Sequence, residues 1–329
     1  MVETIINGEK MKERVLTGLA IFLLVAVVLL TKIVIGTSIV FDIFIALLAV
    51  ACAYEMSQIL QKQNKLSHSL LISVFPLALF IAIFLCFSFK LSAVVSALIC
   101  LGVFVFFAFL GFVLTLLCKA KTENQMRENK IRTSKTMFAF SKTMNNVFGF
   151  LYPTVLIMLL VPLNHLPEIN YVFGSEIAYA QIFSILMVCL CFLVPFICDT
   201  FAYLVGRTFG GKKLCPKISP NKTISGAIGG SLMTILLIVV LYLILASIPS
   251  LQPALAKLNI QWWTVALIAF LGSIACQCGD LFESFLKRKS SIKDSGNLLP
   301  GHGGVLDRFD GFIFVVPVVA LFALVLVLL

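Results

Sequence analysis

The sequence predicts an all-α fold, a polytopic transmembrane helical bundle of about nine spans with its N-terminus on the cytoplasmic side. Two observations carry the class and a third sets the orientation. Of 329 residues, 60% are hydrophobic and only 12% charged, with a mean hydropathy of +1.09, whereas a soluble domain carries about a quarter charged residues. Apolar runs recur that reach the roughly 20 residues needed to cross a bilayer core of about 30 Å. Inside that core a helix satisfies its own backbone donors and acceptors. Finally, all but Lys32, Lys90 and Lys257 of the 25 Lys and Arg fall in alternate connections, beginning with the N-terminal segment.

Taken in order, the apolar runs place spans at about 15–31, 36–55, 69–88, 92–117, 147–163, 181–204, 228–248, 262–279 and 311–329. The first follows Lys10, Lys12 and Arg14 and has no small-residue cleavage site before Lys32, so it reads as an uncleaved span. Asp42 and Glu55 are ionisable groups within the second span, and both read as reaching the membrane interface from its two ends. Between Asn164 and Ala180 there is no Lys or Arg, while Glu168 and Glu176 suit an external loop. The net charge of +10 therefore follows from topology rather than from nucleic-acid binding.

Three regions follow: an N-terminal four-helix membrane region over 1–117, a basic connection over 118–146, and a C-terminal catalytic membrane region over 147–329. The connection carries Lys119, Lys121, Arg127, Lys130, Arg132, Lys135 and Lys142 against Glu123 and Glu128. Both an interfacial helix and a solvated loop fit it. The ten cysteines lack the paired spacing of a zinc site and read as free thiols. No internal repeat supports an ion-coupled transporter of inverted-repeat design.

Chemistry concentrates between Asp280 and Asp310. Five carboxylates, Asp280, Glu283, Asp294, Asp307 and Asp310, share this stretch with Lys287, Arg288, Lys289, Lys293 and Arg308 and with the turn Pro300-Gly301-His302-Gly303-Gly304. Acids three apart, Asp280 with Glu283 and Asp307 with Asp310, share a face where the chain is helical. Paired carboxylates beside cations and a Gly-rich turn suit a divalent metal and a phosphorylated substrate, although a solvated loop with internal ion pairs fits the charge pattern as well. A second segment on the same side, Asp199 to Gly230, adds Tyr203, Lys212, Lys213, Ser219, Lys222, Thr223 and several glycines as a second anion-binding surface.

From Ser284 to Asp310 the chain resembles the signature of the phosphatidate cytidylyltransferase (CDP-diacylglycerol synthase) family. The residues that carry it are Ser284, Lys287-Arg288, Lys293-Asp294, Gly296, Leu299-Pro300, His302-Gly303-Gly304, Asp307-Arg308 and Asp310. The upstream segment is similar to the same family at Asp199, Ala202-Tyr203, Gly206, Phe209-Gly210, Ser219-Pro220, Lys222-Thr223 and Gly226. The first half resembles it only through Arg14 and Glu55. Ser225 departs from the pattern, where such proteins carry Glu.

The resemblance implies a nucleotidyltransferase that joins CTP and phosphatidate into CDP-diacylglycerol and pyrophosphate in a bacterial cytoplasmic membrane, with a homodimer as the expected assembly. It implies Mg²⁺, as one or two cations, on Asp280, Asp307 and Asp310 with Glu283. Lys293, Arg308 and His302 complete the expected catalytic set. Lys222, Thr223, Ser219, Asp199, Tyr203, Lys287, Arg288, Gly303 and Gly304 are expected to bind substrate. A CTP-dependent lipid kinase, or a cytidylyltransferase acting on another lipid phosphate, is the neighbouring alternative.

Overall fold

A computed structural model of the protein describes residues 20, 23–34, 38–64, 67–117, 126, 134–166, 177–257, 260–299 and 303–328. Among them, eight helices are long and apolar enough to cross a membrane, and a shorter apolar helix, α1 (Leu23–Val34), precedes them. This is the all-α polytopic architecture that the hydropathy predicts. The chain forms two compact units, Met1–Met158 with Lys287–Asp307, and Leu159–Leu286 with Arg308–Leu329.

The first unit is built on α2 (Ile39–Asn64), α3 (Ser69–Ser88), α4 (Ala93–Leu117) and α5 (Lys135–Gly149). Helix α2 fully buries Phe41, Ile45, Ala49, Cys52, Met56 and Ile59, the three-to-four-residue spacing of one helical face. Phe75 of α3 meets Phe104, Phe107 and Phe150 at ring-centroid distances of 6.0, 5.5 and 4.6 Å. Such aromatic contacts each add about 0.5–1.5 kcal/mol beyond burial. Polar groups join the same helices. The His68 backbone N–H donates to Asn146 Oδ1 at 2.8 Å, and its Nε2 lies 2.8 Å from Thr115 Oγ1. After α5 the helix is interrupted at Tyr152, whose backbone is extended at φ −115° and ψ 121°, just before Pro153, which has no N–H to continue the ladder.

This region begins earlier than its apolar run. Helix α5 starts at Lys135 and is capped by Ser134, whose Oγ accepts from the Met137 N–H at 3.3 Å. Residues 135–146 of the predicted basic connection are therefore helical, and Lys142 is buried on them. Residues 118–125 and 127–133 lie outside the described residues.

The second unit contains α6 (Ile177–Phe209), the antiparallel hairpin β1 (Lys213–Cys215) and β2 (Ser219–Thr223), α7 (Ile224–Ala246), α8 (Gln252–Lys257), and most of α9 (Trp262–Lys289) and α10 (Leu306–Leu328). Thr223 caps α7 by accepting from the Gly226 N–H at 3.1 Å. A Cβ at Gly226 would lie 2.5 Å from the Ala202 carbonyl oxygen, and one at Gly230 would lie 2.8 Å from that of Cys198. Small residues of this kind let membrane helices touch, so these two glycines serve the α6–α7 contact. The hairpin was not visible as strands in the sequence, because three and five residues give too little alternation to read.

Other helices also outrun their predicted spans, α2 and α9 by the most at one end. Helix α2 continues from 55 to Asn64 and α9 from 279 to Lys289. A bilayer limits the apolar run rather than the helix, and Gln, Glu, Lys and Arg are good helix formers. Asp280, Glu283 and Lys287 consequently belong to α9, and Asp307 and Asp310 to the first two turns of α10, rather than to one continuous loop.

Candidate active site

In the second unit, the end of α9 gathers the charged groups. Asp280 forms an ion pair with Lys222 of β2, their side chains 28% and 27% exposed. Ser284 Oγ donates to Asp280 Oδ1 at 3.3 Å. Asp199 of α6 accepts from Cys276 Sγ at 3.5 Å and lies within electrostatic range of Asp280 and Lys222. Asp310 is buried, its Oδ1 accepting from the Gly311 N–H at 2.7 Å. Its backbone carbonyl faces Gly279, where a Cβ would stand only 2.5 Å away.

Gln277 fixes the same stretch of α9 by donating to Ser231 Oγ at 2.9 Å and to the Ala227 carbonyl at 3.1 Å. Three helices and a hairpin thus collect Asp199, Asp280, Asp310 and Lys222. Glu283 is fully buried on α9. Tyr203 is 63% exposed and its hydroxyl accepts from Arg207 Nη1 at 3.0 Å. Ser219 is half-buried in β2, and Arg308 is exposed. At the atypical position, the Ser225 hydroxyl contacts the Gly210 carbonyl and lies 3.1 Å from Thr223 Oγ1, tying the loop before β1 to the start of α7.

In the first unit, the signature loop folds around Asp307. Lys287 Nζ lies 2.6 Å from Asp307 Oδ1, a pair with side chains 14% and 7% exposed. Asp307 Oδ2 accepts from the backbone N–H groups of Ser295, at 2.9 Å, and Gly304, at 2.8 Å. Gly303 has φ +82, a conformation that glycine adopts at no steric cost. Its carbonyl accepts from the Leu299 N–H at 3.0 Å, closing the turn. Arg288 and Lys293 are exposed. His302 lies outside the described residues.

The sequence reading of Glu55 and Asp42 as groups reaching the interface does not hold, since each is 1% exposed. Glu55 is instead a member of the signature loop, accepting from the Val305 N–H at 3.0 Å, the Leu306 N–H at 2.8 Å and Ser295 Oγ at 2.9 Å. Neither it nor Ser295 was among the expected site residues. The available signals were an acid within an apolar run, which has a cost that only a set of donors offsets, and the resemblance of Glu55 to the family pattern.

Among the described residues, no group of three or more His, Cys, Asp or Glu could hold a metal ion. Mg²⁺ does not require such a cage, since it is usually bound by one or two carboxylates together with substrate phosphates and water. The partly exposed Asp280 and neighbouring Asp310 offer oxygen donors of the right kind.

The chain is thus a helical membrane protein whose carboxylates and lysines gather at the ends of its apolar helices. Residues 12–326 match the Cytidylyltransferase family, and the chain belongs to that family. It is 45% identical over 126 residues to a phosphatidate cytidylyltransferase of Staphylococcus haemolyticus, covering 38% of this chain and 44% of the relative. It is 49% identical over 119 residues to the phosphatidate cytidylyltransferase of Bacillus subtilis, covering 36% and 40%. A Staphylococcus aureus phosphatidate cytidylyltransferase matches at 43% over 126 residues. The matched stretch is thus less than half the length of these relatives.

Proposed function

We propose that the protein is a phosphatidate cytidylyltransferase, transferring CMP from CTP to phosphatidate to give CDP-diacylglycerol and pyrophosphate. Family membership and the names of the relatives support this reading. The structural observation that carries it is the partly exposed Lys222–Asp280 pair beside Asp199.

A phosphate monoester has its second pKa at about 6, so the lipid phosphate is already an oxyanion at neutral pH. No strong base is then needed. A lipid phosphate oxygen forms a bond to the α-phosphorus of CTP, the bond from that phosphorus to the β-bridging oxygen breaks, and pyrophosphate leaves with that oxygen. The protein has to bring two anions together in line and stabilise the charge on the leaving group.

Lys222 exchanges its carboxylate partner for a phosphate oxygen at small cost, because a solvent-accessible ion pair is worth only about 0–1 kcal/mol. Arg308, exposed on α10, supplies a second cation. Asp280 and Asp310 would hold Mg²⁺, which when bound neutralises charge on the triphosphate. Asp199, on the neighbouring helix, orients Lys222 through its charge.

The basic connections orient this end of the helices toward the cytoplasm of a bacterial membrane, where soluble CTP meets an acyl-anchored lipid. A homodimer belongs to the same reading, with α4 and α7, the least buried spans among the described residues, as the faces open to a partner. Purified protein in phosphatidate-containing nanodiscs with Mg²⁺ tests the reaction using CTP labelled at either phosphate. Label from the α-phosphate is expected in the lipid and label from the γ-phosphate in pyrophosphate. Transfer of the γ-label to lipid would identify a kinase instead, and no labelled lipid with either substrate would end the proposal.

A further inference from the structure

Glu55 lies on α2, 240 positions before the Ser295 that it binds. Its two carboxylate oxygens divide three donors: Oε1 takes the Val305 N–H, and Oε2 takes the Leu306 N–H and the Ser295 hydroxyl. The first N–H groups of a helix have no partner within it, so Glu55 satisfies the entry to α10.

Ser295 links this carboxylate to a second one. While its hydroxyl binds Glu55, its backbone N–H binds Asp307 Oδ2. Along the chain, the N–H groups of Gly304, Val305 and Leu306 go in turn to Asp307, Glu55 and Glu55. Two carboxylates from distant parts of the sequence therefore fix one loop, and Asp307 in turn holds Lys287.

The glycines of the loop fit around this arrangement. A Cβ at Gly296 would lie 2.5 Å from Glu55 Oε1, and one at Gly304 would collide with Glu55 Oε2 and the Ser295 hydroxyl. Gly296 and Gly304, two fixed glycines of the signature, thereby leave room for a carboxylate supplied by another helix.

We infer that Glu55 is a positioning residue for the transfer reaction, setting the backbone at Ser295 and at Gly304–Leu306 and, through the shared Ser295, the Asp307–Lys287 pair. The inference rests on the proposed cytidylyltransferase reading. A glutamine here would turn an N–H₂ toward one of the backbone donors, and an aspartate would fall one methylene short of them. A role confined to stability would lower the amount of folded protein without altering how the folded fraction uses CTP.

The test compares wild type, Glu55→Gln, Ser295→Ala and the double variant in phosphatidate nanodiscs. It measures KM and kcat on the folded fraction and the rate of tryptic cleavage after Lys293, which the loop carries exposed. Glu55→Gln is expected to change kcat/KM by about 10- to 100-fold, the usual effect of losing a group that orients a functional residue, with part of the loss in the KM for CTP and with faster cleavage after Lys293. Ser295→Ala should move both readouts the same way but less. The double variant should be no worse than Glu55→Gln alone, since both act through one network.

Folded Glu55→Gln with wild-type KM, kcat and Lys293 cleavage would overturn the inference, as would fully additive effects. Should Glu55→Gln fail to fold, Ser295→Ala decides, and wild-type values for it would overturn the inference. If wild type itself forms no CDP-lipid, the functional reading fails, and Lys293 cleavage still reports whether Glu55 sets the loop.

Discussion

Two carboxylates of the charged stretch, Asp280 and Asp307, sit in opposite circumstances. Asp307 is nearly inaccessible and takes two backbone N–H groups and a buried lysine within the first unit. Asp280 is more than a quarter exposed, and its strong partner is the similarly exposed Lys222 in the second unit. Buried charge with every oxygen engaged behaves as scaffold, because removing one partner strands the other away from water. An accessible pair can exchange its members for substrate at little cost. The two aspartates thus differ: Asp307 holds the loop, and Asp280 stays accessible.

Substitution at the two aspartates is the strongest way to break this contrast. Asp280→Asn is expected to lower CDP-lipid formation by about 100- to 1,000-fold, the scale of losing one preorganised electrostatic group, while leaving the melting temperature near wild type. Asp307→Asn should instead destabilise the fold by about 3 kcal/mol, since the Lys287 ammonium is left poorly solvated. Denaturant titration of both variants reads the difference, and equal stability losses would erase it.

Gly226→Ala sharpens the comparison from the packing side. Its methyl group meets the Ala202 carbonyl, so a loss of about 1–3 kcal/mol is expected, with activity falling in step with the folded fraction. The smallest effect belongs to Ser225→Ala, which removes the contact to the Gly210 carbonyl and should cost about 1 kcal/mol. Ser225→Glu should be worse than Ser225→Ala in the same unfolding assay, because a carboxylate has no proton to give that carbonyl.

The spans were legible because each needs a long apolar run, a signal that single residues do not disturb. Their ends were not, since Asp280 to Lys289 continues α9 beyond the apolar stretch without changing conformation. The grouping of Asp199, Lys222 and Asp280 was readable only as two charged segments on the same predicted side. Their pairing depends on the hairpin, whose strands are too short to announce themselves. Glu55 was least legible. Its donors lie 240 to 251 positions away, and without them only the family resemblance sets it apart from an acid near the end of a span. The segment Lys287–Asp307 likewise gives no sign in sequence that it packs with residues of the first half.

The division of labour between Asp280 and Asp307 is tested most directly by assaying wild type and Asp280→Asn side by side in phosphatidate nanodiscs with CTP and Mg²⁺, with the unfolding midpoint of each recorded. The account predicts CDP-diacylglycerol and pyrophosphate from wild type, at least about a hundredfold less from Asp280→Asn, and matching midpoints. Full activity in Asp280→Asn, or loss of activity only in proportion to a lowered midpoint, would contradict it.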